Sequence, residues 1–181
     1  MDRVAVFIDN GYFSKVLIKD FGKPRIDYAK FSDSICAGGE RFRTYFYDCP
    51  PFQSSPPSAE ERALKSGFDR FIYNLESLPR FEVRLGRLRK ISEPPYFEQK
   101  GVDVLLSVDL VRLSFSGKIE RAILVTADSD FVPAVNAAKD AGILVAMCYS
   151  PTQPRSDELF QKCDERIRIT SEIIQNSLLG R

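Results

Sequence analysis

Short apolar runs alternate with amphipathic stretches along this chain. Residues 4–8 (VAVFI) are consecutive, apolar and rich in β-branching, as expected of a parallel strand buried on both faces. The run stops at Asp9. Residues 41–48 (RFRTYFYD) read as a second strand on their aromatics and threonine, and the four prolines of CPPFQSSPPS turn the following stretch into a loop. From Ser58 the period changes: Ser58 and Glu61 have capping-box spacing, and Leu64, Phe68, Phe71 and Leu75 recur at helical intervals as a packing stripe. Residues 81–86 (FEVRLG) predict a strand, and RLRKISEPPYFEQK a basic, proline-broken connection.

A second amphipathic helix is expected over residues 101–117 (GVDVLLSVDLVRLSFSG), with Val104, Val108, Val111 and Phe115 as its stripe and Gly117 as its stop. Strand 122–126, helix 131–141 closed by Gly142, and strand 143–149 (ILVAMCY) complete a β-α-β unit. Helical patterns at 156–163 and 171–178 close the chain. This alternation predicts a three-layer α/β/α domain with a mainly parallel central sheet and right-handed crossovers. With 181 residues, 44% of them hydrophobic, the chain suits a single domain, 1–181.

Composition narrows the chemistry. A net charge of +1 imposes no overall field favouring nucleic acid or membrane, so any such partner depends on local patches. The apolar run after Asp2 and Arg3 is too short for a signal peptide or a membrane span, so a cytoplasmic protein with no membrane partner is expected. The four cysteines are scattered without a C-x-x-C, which predicts reduced structural thiols. The absence of histidine excludes Ser-His-Asp and Cys-His systems and leaves carboxylates, with or without a metal, as the main candidates.

Ligands of such sheets bind beyond the carboxyl ends of the strands. Asp9 directly follows VAVFI, Asp128 and Asp130 follow AILVTA, and Asp103 opens the second amphipathic helix. Singly, Asp130 reads as a helix cap, and Asp103 equally as a first-turn acid or a ligand. Together they present an electrostatic problem. Two charges ~5 Å apart at an effective dielectric of ~20 repel by roughly 3 kcal/mol, so a cluster calls for raised pKa values or a bound cation. Oxygen donors without histidine or cysteine suit Mg²⁺ or Mn²⁺, which in turn point to phosphate-ester chemistry.

FIDNGYF at 7–13, KGVDVLLSVDL at 100–110 and VTADSDFVPAV at 125–135 together resemble a LabA-like NYN domain of the PIN-like nuclease superfamily, over about the first 150 residues. The resemblance implies a metal-dependent ribonuclease with Asp9, Asp103, Asp128 and Asp130 as catalytic and metal-binding residues, acting through in-line attack of water to leave a 5′-phosphate. Asn10, Thr126, Ser129 and Asp109 are secondary positions. Asn10 before Gly11 is equally turn chemistry, and Ser129 equally a helix-turn residue. Asp109 points about 120° away from Asp103 on an ideal helix, where a salt bridge to Arg112 is its simpler role. Where the family commonly has glycine before the D-S-D-F motif, this chain has Ala127, which implies a change in substrate fit.

Arg84, Arg87, Arg89, Lys90 and Lys100, with Arg80 nearby and Tyr96 and Phe97 among them, form a candidate surface for RNA phosphates and bases, the bland alternative being a solvated strand and loop. Tyr12, Lys15 and Lys19 are further candidates for the cleft. Competing functions are an RNA-binding or regulatory module without turnover and a phosphatase of the haloacid-dehalogenase type. The latter requires D-x-D after the first strand, where this chain has Asp9-Asn10-Gly11.

Overall fold

The computed structural model describes residues 1–93 and 96–180. The five runs read as strands pair, with a sixth that the sequence pattern does not predict, in one sheet: β1 (Arg3–Asp9), β2 (Glu40–Asp48), β3 (Phe81–Leu85), β6 (Arg121–Val125), β7 (Leu144–Tyr149) and the unanticipated β8 (Glu165–Arg168). Their order is β3-β2-β1-β6-β7-β8, and every pairing is parallel. Successive strands step outward on one side from β1 to β3, then restart at β6 on the other. The switch point therefore falls between β1 and β6.

Parallel strands need helices on both faces, and side-chain alternation in β1 assigns them. Val4, Val6 and Ile8 pack with α1 (Asn10–Phe21), α2 (Tyr28–Ile35), α3 (Ala59–Glu76) and α7 (Ser171–Asn176), while Ala5 and Phe7 pack with α4 (Val102–Ser114), α5 (Val132–Asp140) and α6 (Asp157–Lys162). The result is a three-layer α/β/α single domain. Ser58 and Glu61 close the expected capping box at the start of α3. All four cysteines are buried and free. Among the described residues, no helix is long and apolar enough to cross a membrane.

Three expectations need correction. The stripe Val104, Val108, Val111 and Phe115 is not core: Val104 is 66%, Val108 58% and Phe115 66% exposed, and α4 instead buries Val102, Leu106, Asp109, Leu110 and Leu113. α4 is apolar nearly all round, so periodicity could not tell the buried face from the open one. Leu64 is likewise 64% exposed, and α3 is anchored by Ile72 and Leu75 with Phe68 and Phe71 half-buried. Finally, part of the basic connection folds into an antiparallel hairpin of β4 (Arg87–Lys90) and β5 (Phe97–Lys100); Pro94 and Pro95 lie outside the described residues.

Asp109 bears out the structural reading. It is buried, accepts a hydrogen bond from the Tyr47 hydroxyl at 3.0 Å, and pairs with Arg112 at 2.9 Å and Arg84 at 3.4 Å. This network joins α4 to the last residues of β2 and β3, on the side of the sheet away from the β1–β6 switch point.

These burial differences are measurable by urea denaturation. Leu106→Ala, which empties a fully buried site under the sheet, lowers unfolding free energy by about 3 kcal/mol. Leu64→Ala changes it by less than about 0.5 kcal/mol.

Candidate functional site

The switch point opens a cleft bounded by the ends of β1 and β6, the start of α4, helix α1 and the segment after β7. Asp9, Asp103 and Asp128 line it, with Thr126, Ser129 and Gln99 between them. β1 and β6 pair through Ile8 and Val125, which brings Asp9 and the Thr126–Asp128 turn side by side. Five of the acidic and secondary positions singled out from sequence, Asp9, Asp103, Thr126, Asp128 and Ser129, thus share one cleft with the further candidates Tyr12, Lys15 and Lys19.

Asp9 is the best-anchored of the acids. It is the N-cap of α1, accepting from the Tyr12 amide at 3.3 Å, and its other oxygen accepts from the Thr126 hydroxyl at 3.0 Å. Burial raises its pKa, and the nearby Asp128 charge adds to this; the Thr126 hydroxyl and the Tyr12 and Gly11 amides oppose it. Asp103 sits in the first turn of α4 behind Gly101, whose φ of +90° supplies the left-handed turn leaving the hairpin. Its pKa is also raised, first by desolvation and then by the charges of Asp128, Asp9 and Asp130. Asp128 caps the short 3₁₀ turn Ser129–Phe131, accepting from the Asp130 amide at 3.0 Å.

Asp130 lies within electrostatic range of Asp103 but lines the neighbouring groove, with Ser107, Val108, Val111 and Arg112. Asn10 ties strand ends together: its amide donates to Asp48 at 2.7 Å. Asp48, which sequence reasoning passed over, is half-buried with a pKa raised by that burial. Asp109 stands outside the cleft, in its ion-pair network.

The candidate basic surface divides. Arg84 is turned to carboxylates, at 2.9 Å from Glu82 and 3.4 Å from Asp109, and Lys100 pairs with Glu98 at 2.7 Å. In the hairpin register Arg87 faces Lys100 and Arg89 faces Glu98, so they share one face, while Leu88 and Gln99 share the other. Gln99 is the residue delivered to the cleft. A β-carbon on Gly11 would come to 3.0 Å from its Oε1 and 3.1 Å from Asp9 Oδ1, a tight fit that a shift of the glutamine end would relieve. Lys90 sits over the Phe52 ring, 5.7 Å from its centroid, and Phe52 in turn packs on Phe97.

The cleft's own cations come from α1: Lys15 and Lys19, one turn apart, line it with Tyr12. Behind them the Tyr12 hydroxyl accepts from the Ser150 amide at 2.9 Å, and Asp20 accepts from Ser150 and Gln153. Burial alone would raise the Asp20 pKa, but hydrogen bonds from Ser150, Thr152 and Gln153, with Lys19 nearby, lower it. Asp20 thus anchors residues 150–153, which deliver Gln153 and Pro154 to the rim. Ser156 donates its amide to the Ala127 carbonyl at 2.9 Å, holding this segment against the end of β6.

The donors on the acidic side are carboxylate oxygens, the set that suits Mg²⁺ or Mn²⁺. Among the described residues, however, no group of three or more acidic, histidine or cysteine side chains is gathered tightly enough to hold a metal by itself. Such spacing fits a hard cation held through one or two carboxylates and completed by waters and phosphate oxygens. It does not fit an all-protein cage.

A parallel doubly wound sheet with carboxylates at its switch point defines the class as an α/β protein whose candidate ligand crevice is acidic. The model of the NYN domain matches residues 3–170, and the chain belongs to that family, which places it in the PIN-like nuclease superfamily. A protein of unknown function from Vibrio parahaemolyticus has a similar fold, with a TM-score of 0.61 and 20% identity over 98% of this chain and 96% of that one. No curated protein matches.

The raised pKa of Asp103 fixes a sign. A carboxyl with a higher pKa folded than unfolded leaves stability untouched below the ordinary carboxylate range, and destabilises as pH rises through its folded pKa. Asp103→Asn therefore raises the melting temperature above neutral pH, by about 1–2 °C without divalent cations. The gain disappears near pH 3. Differential scanning calorimetry at both pH values checks it, and a gain that persists in acid contradicts the electrostatic origin.

Proposed function

We propose that this chain is a metal-dependent ribonuclease of the LabA-like branch, hydrolysing single-stranded RNA at the cleft between β1 and β6. One observation carries the proposal: three carboxylates on separate elements, Asp9, Asp103 and Asp128, line a single cleft opposite two lysines of α1. Capping and packing account for each acid separately. They do not account for the three meeting where Asp9 and Asp103 carry raised pKa values.

Asp9, Asp103 and Asp128 are assigned the metal, Mg²⁺ or Mn²⁺, with Asp130 contributing charge from the edge. The cation, when bound, supplies acidity to the attacking water and charge to the leaving oxygen. The chain's residues do the remaining work. Thr126 and the α1 amides fix the Asp9 carboxylate, so its orientation is set before substrate arrives. Lys15 and Lys19 hold phosphates flanking the scissile one and set the direction of the strand across the acids. Gln99, delivered over Gly11, has both a donor and an acceptor for a base edge or a ribose hydroxyl. Arg87 and Arg89, on the outer face of the hairpin, extend the path for longer RNA.

A second reading is an RNA-binding module that lacks turnover, favoured by the finding that, among the described residues, no three acidic, histidine or cysteine side chains are grouped to hold a metal. Cleavage assays separate the two. With labelled single-stranded RNA and Mg²⁺ or Mn²⁺, the wild type yields 5′-phosphate products, and Asp9→Asn or Asp103→Asn loses about 100-fold or more in kcat. RNA binding without cleavage in either metal overturns the nuclease in favour of the binding module.

The lysines have a different signature. Replacing both Lys15 and Lys19 by Ala raises KM about 10-fold with little change in kcat, and lowers the slope of log affinity against log salt by about 1.4, as expected for two lost phosphate contacts to a single strand. A salt slope equal to that of the wild type rules out their role.

A further inference from the structure

The segment after β7 puts an arginine on the rim of the cleft. Residues 150–156 run from Tyr12, whose hydroxyl accepts from the Ser150 amide, to Ala127, whose carbonyl accepts from the Ser156 amide. Pro154 and Ser156 both line the cleft, and Arg155 stands between them. Its guanidinium rests on aromatic rings, 4.2 Å from the Phe160 centroid and 5.3 Å from that of Tyr149.

Those rings form a fixed platform. Tyr149 is buried and meets Phe160 edge to face at 5.2 Å. Arg166 donates to the Phe160 carbonyl at 2.9 and 2.6 Å and lies 5.1 Å from the ring. A guanidinium stacked on such a platform is ordered before any ligand arrives, and its planar fork of N–H donors is left for an acceptor elsewhere.

The molecule supplies no such acceptor. Arg84, Arg112 and Arg166 each donate to a protein oxygen. Arg155 donates to none among the described residues, and the acid nearest to it, Asp157, is 85% exposed and 3.9 Å away, beyond hydrogen-bonding distance. With its side chain only 30% exposed, Arg155 has lost much of its hydration, which the ring faces offset through cation–π attraction while offering no oxygen. Stacking explains where the guanidinium lies and leaves its donors unused. Its charge also reaches the cleft wall: burial raises the Tyr12 pKa, and the Arg155 charge opposes that rise. Tyr12 shares its face of α1 with Lys15 and Lys19, so a third cation borders the same cleft.

We propose that Arg155 is a phosphate-binding residue, its guanidinium taking two oxygens of one backbone phosphate of single-stranded RNA at the rim beside Ala127. Two parallel N–H donors match two phosphate oxygens, a fit that a lysine lacks. Its place on the rim assigns Arg155 to a nucleotide flanking the scissile bond. The role rests on the reading of the cleft as an RNA site and holds whether or not the RNA is cleaved.

Anisotropy of a short fluorescein-labelled single-stranded RNA, titrated in EDTA over a salt series, tests the contact apart from turnover. Arg155→Met keeps an apolar stem on the rings, weakens binding about 10-fold and lowers the slope of log affinity against log salt by about 0.7, as expected for one lost phosphate contact. Arg155→Lys keeps the slope and still weakens binding about 3-fold, because an ammonium restores the charge without the fork. Phe160→Leu weakens binding in the wild-type background and adds nothing to Arg155→Met, since the ring acts through the arginine. A side chain that served packing alone would move the melting temperature and leave the slope where it was.

Wild-type affinity or an unchanged slope in Arg155→Met overturns the proposal, as does full rescue by Arg155→Lys. Parallel cleavage assays with Mn²⁺ keep this contact distinct from the activity. Cleavage by Arg155→Met with wild-type KM removes the contact and leaves the nuclease. Binding that depends on Arg155 without cleavage removes the nuclease and leaves the contact, and RNA neither bound nor cleaved by the wild type removes both.

Discussion

The hydrogen bond from the Thr126 hydroxyl to the Asp9 carboxylate, at 3.0 Å, is the point on which the site depends. It spans 117 residues of sequence and joins the ends of two strands whose chains leave in different directions, β1 into α1 and β6 into the 3₁₀ turn before α5. Opening a parallel sheet at its switch point leaves a crevice that no side chain of the core fills. A carboxylate in that crevice loses hydration, and the raised pKa of Asp9 reflects the loss. Thr126 and the N-terminal amides of α1 hold the charge there nonetheless. The same contacts fix its direction, so one set of hydrogen bonds stabilises the fold locally and prepares the cleft.

Around that anchor the charges are arranged in opposition. Asp103 and Asp128 approach Asp9 from other elements, raising the pKa of Asp103, while Lys15 and Lys19 stand on the next turns of the helix that Asp9 caps. The lysines do not neutralise the acids by direct pairing, since no ion pair joins them among the described residues. Both sets of charges remain available. A polyanion crossing the cleft meets the lysines, and a cation accompanying it meets the acids. On the proposed function, a phosphodiester would satisfy both at once, its oxygens joining the carboxylates as ligands of the cation. Metal and RNA would therefore bind cooperatively, each contributing ligands or charge that the other lacks.

The sequence reveals the sheet more readily than the surface. Runs such as VAVFI and AILV are buried on both faces, and a parallel strand has few other ways to satisfy that pattern, so strand identity and the acids after strand ends were legible. Several elements were hidden, with no helix expected over α1 (Asn10–Phe21) or α2 (Tyr28–Ile35). β8 (Glu165–Arg168) alternates charged and apolar residues at the sheet edge, and the hairpin reads as a basic loop because its two paired faces differ in character. Gln99 was lost with the hairpin: nothing in FEQK distinguishes a glutamine in the cleft from one in solvent. Arg84 shows a different limit. Its charge suggested phosphate; one of its carboxylate partners, Glu82, is only two residues away, but the other, Asp109, is met only once β3 packs beside α4.

α4 exposes the deepest limit of periodicity. A helix apolar over most of its circumference satisfies the helical pattern whichever face is turned inward, and the choice is made by its neighbours. Here the sheet takes Leu106, Leu110 and Leu113, whose longer side chains reach across the layer to Phe7 and Tyr47, and leaves the valine row outside. Polar residues at 104, 108 and 115 would cost the monomer little, because its core is complete without them; of the row, Val111 alone packs against that core. Exposed apolar area in water is a standing disadvantage to the isolated chain, offset only where something covers it.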